Sequence, residues 1–411
     1  MAAAAITTIP TKEYAARRRK LSTALKKGIA LIHAGDPNTN GLNGSYRAHA
    51  HFEYLTGIGD EPGAILLLDP GNDDPKRREC LFMKPLDPEM ERWDGFRAPI
   101  DDALRERTGL SSIFRLYALP RFLTEAALRS RSLMCVHPFA SFQQPVSPDL
   151  AKFRKVAERI PGVSIGDCTE AMARLRGAKS ANEVALIQQA VDITMLGYEE
   201  VLRTLRPKMN EFDVQETLEH AYKSHGSRGT GYNSIAGSGV NSTVLHYHAN
   251  SAELCDGDLI CIDSAATFNG YCADITRTLP VNGKFTPRQK EIYELVLKAE
   301  EAAIRAVKPG VTLADLDAVA RKVITKAGYG DAFYHSIGHH LGMEVHDIAP
   351  RQPLKEGAVV TIEPGVYLRD EKIGVRIEDD IVVTKSGYRN LSKKIPKTVK
   401  DIERLMAAGR K

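Results

Sequence analysis

The stretch Leu259 to Pro280, LICIDSAATFNGYCADITRTLP, aims two carboxylates at one point. Two strand-like runs flank Asn269-Gly270, the strongest short-range signal for a two-residue hairpin turn. With that pair as the turn, Phe268 faces Tyr271 and, counting outward, Ala265 faces Asp274. Side chains two apart on a strand share a face. Asp263 therefore lies on the face of Asp274 as its diagonal cross-strand neighbour, with Cβ atoms about 7 Å apart. Ile260 and Ile262 point the other way. Two acids converging beside a packed strand repel unless something positive lies between them, and hard carboxylate oxygens suit Mn²⁺, Co²⁺ or Zn²⁺. For Asp263 and Asp274 alone, a solvated hairpin with acids on its wet face is the competing reading.

The residues that follow weigh against that competitor. Six of the twelve histidines fall at 246, 248, 335, 339, 340 and 346. Thr243 to His248 (TVLHYH) reads as an alternating strand with His246 and His248 on one face. Tyr334 to Asp347 (YHSIGHHLGMEVHD) reads as a glycine-punctuated loop, and Glu363 stands just before a Pro-Gly turn. Ile373 to Val383 (IGVRIEDDIVV) reads as one strand with Arg376, Glu378 and Asp380 on a single face. A two-metal centre needs about five protein ligands, mostly oxygen. Asp263, Asp274, His339, Glu363 and Glu378 supply four carboxylates and one imidazole, which nearly neutralises two divalent ions and makes a buried site tolerable. Singly, each of these residues has an ordinary explanation in a turn, loop or exposed strand. Their joint occurrence in one region does not.

The rest of the chain must position this set. Its 411 residues allow two or three domains. The 56 basic and 52 acidic residues balance too closely to favour nucleic acid or an anionic membrane as partner. Arg17-Arg18-Arg19-Lys20 reads as the solvated face of a basic helix over residues 13–27. No run of 18 apolar residues occurs, and the alanine-rich start lacks the pattern of a secretory signal. Six cysteines without CxxC spacing fit a reducing cytoplasm. Buried-strand patterns at Gly28–His33, Ala64–Asp69 and Cys80–Met83 alternate with helical ones, so the first half reads as an α/β domain with a mixed sheet. His49 and His51 there read as a polar loop or strand edge rather than a metal site. Near Cys168 the character changes. Met172 to Leu196 reads as a long helix with a capping box at Ser180 and Glu183, and a second helix spans Asn210 to His225. The boundary is placed near 170, giving domains 1–170 and 171–411.

The segments LHYHAN, IDSAATFNGYCADITRTLPVNGKFT, GHHLGMEVHD, TIEPGVYL and GVRIEDDIVVT resemble the pita-bread metallopeptidases, and within them the Xaa-Pro peptidases, aminopeptidase P and prolidase. YRAHAHFEYLTGIGDEPGAILLL and WDG resemble, more loosely, the creatinase-like N-terminal domain of aminopeptidase P. The resemblance implies an α/β fold, an N-terminal creatinase-like domain followed by a pita-bread catalytic domain. It puts the metal ligands on Asp263, Asp274, His339, Glu363 and Glu378, and the substrate- and proton-handling histidines on His246, His335 and His346, with Arg376 matching the arginine of its motif. Two divalent ions are implied, with Mn²⁺ expected and Co²⁺ or Zn²⁺ as alternatives. They would acidify a water, Glu363 would take its proton, and His246 or His346 would help stabilise the oxyanion.

The substrate implied is a small peptide with proline at the second position. A dipeptidase must grip a free carboxylate beside proline, whereas an aminopeptidase must leave that side open. The segments 323–334 and 367–373 look trimmed, and Arg376, Tyr388 and, from a neighbouring subunit, Arg47 could hold a carboxylate. The expectation is therefore an Xaa-Pro dipeptidase, with aminopeptidase P as the alternative and a non-catalytic binding module as a remote one. A cytoplasmic homodimer is also expected, because the N-terminal domain has no other evident chemical task.

Overall fold

The computed structural model describes residues 8–36, 46–139 and 141–409. The first residues of the alanine-rich start lie outside them. The chain forms two compact units, Ile9–Arg176 and Gly177–Lys411. The mixed α/β architecture agrees with the fold expected from the resemblance.

The first unit runs α1 (Thr11–Leu25), β1 (Ala30–His33), α2 (Ala50–Thr56), β2 (Ile65–Leu68), β3 (Glu79–Met83), α3 (Pro88–Asp94), α4 (Asp102–Thr108), β4 (Ser112–Arg115), α5 (Leu119–Ser130), β5 (Ser132–Cys135), α6 (Pro148–Ala157), β6 (Ser164–Asp167) and α7 (Thr169–Gly177). Strands β1 to β4 form one mixed sheet, antiparallel except for the parallel β3–β4 pair, and β5 pairs with β6 in parallel. Its apolar core joins Ile29, Leu31, Leu67, Phe82, Leu133 and Phe153.

Two sequence expectations fail in this unit. Arg17 and Arg18 are buried rather than solvated. Arg17 lies over the Tyr54 ring at 4.1 Å, and Arg18 reaches Glu79 Oε2 at 2.7 Å and the Leu55 carbonyl at 2.9 Å. A guanidinium can be buried where carbonyls and a carboxylate satisfy its fork, and helical periodicity does not show this. His51 is likewise inside α2, with its Nδ1 2.8 Å from Arg176 Nη1, and His49 caps that helix. The rings of His49 and His137 lie 4.6 Å apart, and burial pushes His33 down to about 3.

The second unit opens with α8 (Ala181–Thr204) and α9 (Glu211–Ser224). The helical pattern read as one element from Met172 is two helices. The break falls at the Ser180–Glu183 capping box, which forms as expected. Then come β7 (Ile235–Ser238), β8 (Leu259–Asp263), β9 (Thr267–Phe268), β10 (Tyr271–Cys272), β11 (Thr276–Pro280), α10 (Pro287–Ala306), α11 (Leu313–Lys326), β12 (Val359–Ile362), β13 (Gly365–Leu368), β14 (Ile373–Arg376), β15 (Asp379–Thr384), β16 (Gly387–Asn390) and α12 (Val399–Gly409). The sheets are β11–β8–β7, β12–β15–β16 and the pairs β9–β10 and β13–β14.

The hairpin register is the one read from the turn. Phe268 faces Tyr271, and the same count carries through to Asp263 opposite Thr276. Asn269 and Gly270 take φ of 43° and 83°, the left-handed pair such a turn requires. Helix α8 pins the irregular middle of the hairpin: Tyr198 Oη donates to the carbonyls of Ile262 and Ile275, and the Ala266 N–H donates to Thr194 Oγ1 at 2.9 Å.

Candidate metal centre

Four stretches deliver the five residues. Asp263 ends β8 and Asp274 precedes β11. His339 lies in an extended segment running beside β12. There Thr361 N–H donates to His339 O at 2.9 Å, and Glu363 N–H donates to Ile337 O at 2.8 Å. Glu363 follows β12, and Glu378 lies in the break between β14 and β15. That break corrects the single strand expected over 373–383. β14 pairs with β13 and β15 with β12, so Arg376 and Glu378 do not lie along one unbroken ladder.

Ligand atoms of Asp274, His339 and Glu378 all lie within 4.8 Å of one another. His339 Nε2 is 3.3 Å from Asp274 Oδ2 and 3.4 Å from Glu363 Oε1. Its Nδ1 meets the His340 carbonyl at 3.1 Å, which assigns the proton there and leaves Nε2 facing the acids. Asp263 Oδ2 accepts from Arg376 Nη2 at 2.7 Å, and its Oδ1 accepts from Tyr232 Oη at 2.6 Å. Glu378 Oε2 accepts from Thr276 Oγ1 at 2.6 Å. Four carboxylates and an imidazole with an outward-facing nitrogen fit a hard or borderline divalent cation.

The histidine and cation candidates separate into those near the cluster and those elsewhere. His346 packs edge-on to His339 with centroids 4.1 Å apart. His246 stacks on His248 at 6.3 Å, in a turn after a short 3₁₀ segment rather than in the strand expected for TVLHYH. His335 Nδ1 meets the Ser336 carbonyl, so its Nε2 accepts from Tyr367 Oη at 2.9 Å. Burial, aided by Arg376, lowers it to about 4 and holds it neutral. Arg376 is buried and committed to Asp263, Tyr367 and Thr276. Tyr388 is on β16 opposite Val383, at the far end of β15 from Glu378, and lines a separate groove with Arg305, Arg389 and Lys393. The structure does not bring it to the cluster. Arg47 belongs to the first unit, where its Nε is 3.3 Å from Glu53 Oε2.

Residues 185–385 match the model of metallopeptidase family M24, and residues 14–134 match the aminopeptidase P N-terminal domain. The chain is 33% identical to an Xaa-Pro aminopeptidase of Escherichia coli (strain K12), covering 98% of this chain and 99% of that protein. It is 31% identical to an Xaa-Pro aminopeptidase of Haemophilus influenzae, covering 97% and 98%. The chain belongs to metallopeptidase family M24. The solved structure of Pseudomonas aeruginosa aminopeptidase PepP matches this M24 enzyme at a TM-score of 0.88 and 31% identity, over 98% of this chain and 99% of that one. Membership of the family carries a divalent-metal centre. Among the described residues, no helix is long and apolar enough to cross a membrane.

Several residues around the cluster escaped sequence reasoning. Tyr232 and Thr276 hold carboxylate oxygens of Asp263 and Glu378, and Tyr367 links His335 to Arg376. Thr361 takes the His339 N–H at 3.0 Å and donates to Glu363 at 3.2 Å. Behind Glu378, the buried Arg277 holds the Glu378 carbonyl at 2.6 Å and Asp379 at 2.7 Å. Thr276 alone had a signal, since it follows Asp274 by two and faces Asp263 in the hairpin register. The others depend on contacts between distant segments.

The electrostatics of the cluster predict how protein without metal behaves. Burial raises Glu363 to about 7, against the pull of His339 and with Asp274 repelling. Burial alone would lower His339, but its hydrogen bond to Asp274 and the charges of Asp274 and Glu363 raise it to about 9. Both folded values exceed the ordinary ones of 4.5 and 6.5, so the folded metal-free state binds more protons than the unfolded state. The stability these groups contribute is full at low pH. It is lost as pH rises from 4.5 through 7 for Glu363, and from 6.5 through 9 for His339. Metal held by Glu363 and His339 would displace those protons, so its affinity would rise roughly tenfold per pH unit for each proton released. The expected result is a rise in Tm on adding Mn²⁺ to chelator-treated protein that widens from pH 6.5 to 9. A rise that shrinks over that window would contradict the assignment.

Proposed function

We propose that this chain is an Xaa-Pro aminopeptidase with a two-metal centre, removing the first residue from peptides with proline second. The convergence of Asp274, Glu363 and Glu378 around His339 carries this reading. The names of relatives matched over nearly their whole length support the substrate class. Asp263, Asp274, His339, Glu363 and Glu378 would hold the metals, which supply an acidified water and a polarised carbonyl. Glu363 receives the water's proton, because its Oε1 faces the cluster 3.4 Å from His339 Nε2 and a carboxylate there can both hold metal and accept a proton. His346 and His246 donate to the developing oxyanion. Proline nitrogen has no N–H to grip, and as a leaving group it takes its proton from Glu363. His335 is held neutral and cannot supply it, so its task is orientation.

The dipeptidase expectation needed a cation free to hold a substrate carboxylate. Arg376 is spent on Asp263 and Tyr367, and Tyr388 lies at the far end of its strand. This favours a site left open beyond proline. Mn²⁺ is supported by the ratio of four carboxylates to one imidazole. A homodimer is supported by apolar side chains exposed in the first unit, Trp93 and Phe96 among them. A cytoplasmic location is supported by six free cysteines.

The test is alanine release from Ala-Pro-Ala beside proline release from Ala-Pro, after metal stripping and Mn²⁺ restoration. Faster tripeptide cleavage is expected. Fast dipeptide turnover with little tripeptide cleavage would overturn the aminopeptidase reading, and inactivity on both would overturn the peptidase reading.

A further inference from the structure

The segment entering α8 carries a buried cation with no part in the proposed chemistry. Lys179 Nζ lies 3.0 Å from Asp347 Oδ2, and each side chain is only 1% exposed. Asp347 directly follows His346 and donates its N–H to the His340 carbonyl at 2.8 Å, one residue from His339. The chain makes room for this pair. A Cβ at Gly342 would lie 2.2 Å from Asp347 Oδ2 and 2.9 Å from Lys179 Cε. Lys179 is itself fixed, since its N–H donates to Gly357 O at 2.8 Å, and a Cβ on Gly357 would come within 2.7 Å of Lys179 O.

A second arm leaves the same turn. Glu183 closes the capping box with one oxygen and accepts from Tyr271 Oη with the other at 3.0 Å. Tyr271 is on the hairpin that carries Asp263 and Asp274. Hairpin and histidine loop also meet directly, where Cys272 N–H donates to Gly342 O at 2.8 Å.

A buried ion pair adds little stability, because desolvation offsets its attraction; its better-attested use is to select one arrangement over others. We propose that the Lys179–Asp347 pair is a positioning device that sets His346 against His339, with Glu183–Tyr271 holding the same turn to the acid-bearing hairpin. The inference rests on the reading above, in which His346 faces the substrate. Neither Lys179 nor Asp347 is among the residues that would hold metal or meet substrate in that reading. They act through the loop, and a displacement of about 1 Å in such a group can cost 100-fold in rate.

Asp347→Asn removes the charge with little change of shape, and Asp347→Glu keeps the charge while moving the loop's anchor by one methylene. Each is compared with wild type for kcat and KM on Ala-Pro-Ala, bound Mn²⁺ per folded chain, and the imidazole NMR signal of His346 in metal-free protein, assigned with His346→Gln. The expected result is kcat lower by about 10–100-fold per metal-loaded chain, KM within about threefold, and a shifted His346 signal in both variants. If Asp347→Asn fails to fold, Asp347→Glu decides. Wild-type kcat and an unmoved His346 signal would overturn the proposal. So would a loss of activity that merely follows the folded, metal-loaded fraction. If wild type itself cleaves neither peptide, the functional reading fails, and the His346 signal still tests the positioning.

Discussion

Asp274→Asn is expected to lower kcat by about 10³-fold or more and to weaken metal binding beyond the roughly 10–100-fold typical of losing an outer-shell partner. Asp274 lies within the cluster formed with His339 and Glu378. It is 4% exposed, its Oδ2 is 3.3 Å from His339 Nε2, and its backbone N–H donates to Asp380 Oδ2 at 3.1 Å. The amide keeps the shape and removes one negative charge from a set that only just balances two divalent ions. Glu363→Gln separates two roles. It should lose about 10²–10⁴-fold in kcat, the usual worth of a general base, while the other four ligands retain most of the metal. Metal content by elemental analysis beside kcat distinguishes the two. An Asp274→Asn protein with full metal and ordinary kcat would remove this aspartate from the centre.

Gly338→Ala is the second large effect, and it acts through the backbone. Gly338 has φ of +154°, and a Cβ there would lie 2.1 Å from Thr361 O and 2.8 Å from Thr361 C. These are main-chain atoms of β12 and cannot swing aside. The contact is close because the next residue, His339, must donate its N–H to Thr361 Oγ1 while Thr361 holds Glu363. Overpacking at such a point should cost about 3 kcal/mol, lowering Tm by about 6–12 °C for a unit of this size. Activity should fall further than stability, because His339 and Glu363 would separate. A variant with wild-type Tm and kcat would mean that the loop does not need its approach to β12.

Part of the cluster is legible in the sequence. Asn269-Gly270 dictates a hairpin, and alternation then places Asp263 and Asp274 on one face; the register follows that count out to Thr276. The capping box at Ser180 marks where α8 begins. These are interactions between residues close in sequence, where spacing is geometry. Where partners are distant, local pattern misled. Arg17 and Arg18 read as wet because what buries them, the Tyr54 ring and carbonyl for Arg17 and Glu79 with the Leu55 carbonyl for Arg18, belongs to other elements. IGVRIEDDIVV read as one strand because both of its halves are strands; that they pair with different partners is not a local property.

The same division accounts for the specificity expectation. Arg376 reads in the sequence as a cation available to a carboxylate, since residue type and a place beside Glu378 say nothing of its partners, and folding commits it to Asp263 and Tyr367. Tyr388 reads in the sequence as a residue that could hold a substrate carboxylate, yet strand β15 carries it away from Glu378. By itself, the sequence determined the carboxylate and imidazole types of the cluster, the hairpin that presents two of the acids, the helix that backs it and the kinship with M24 enzymes. Only the tertiary structure decided that His339 Nε2 turns to Asp274 and Glu363, which cation is already spent, and which buried pair holds the histidine loop. Residue type and spacing are encoded locally. Convergence requires distant segments to be packed together, and there burial and hydrogen bonding select one arrangement.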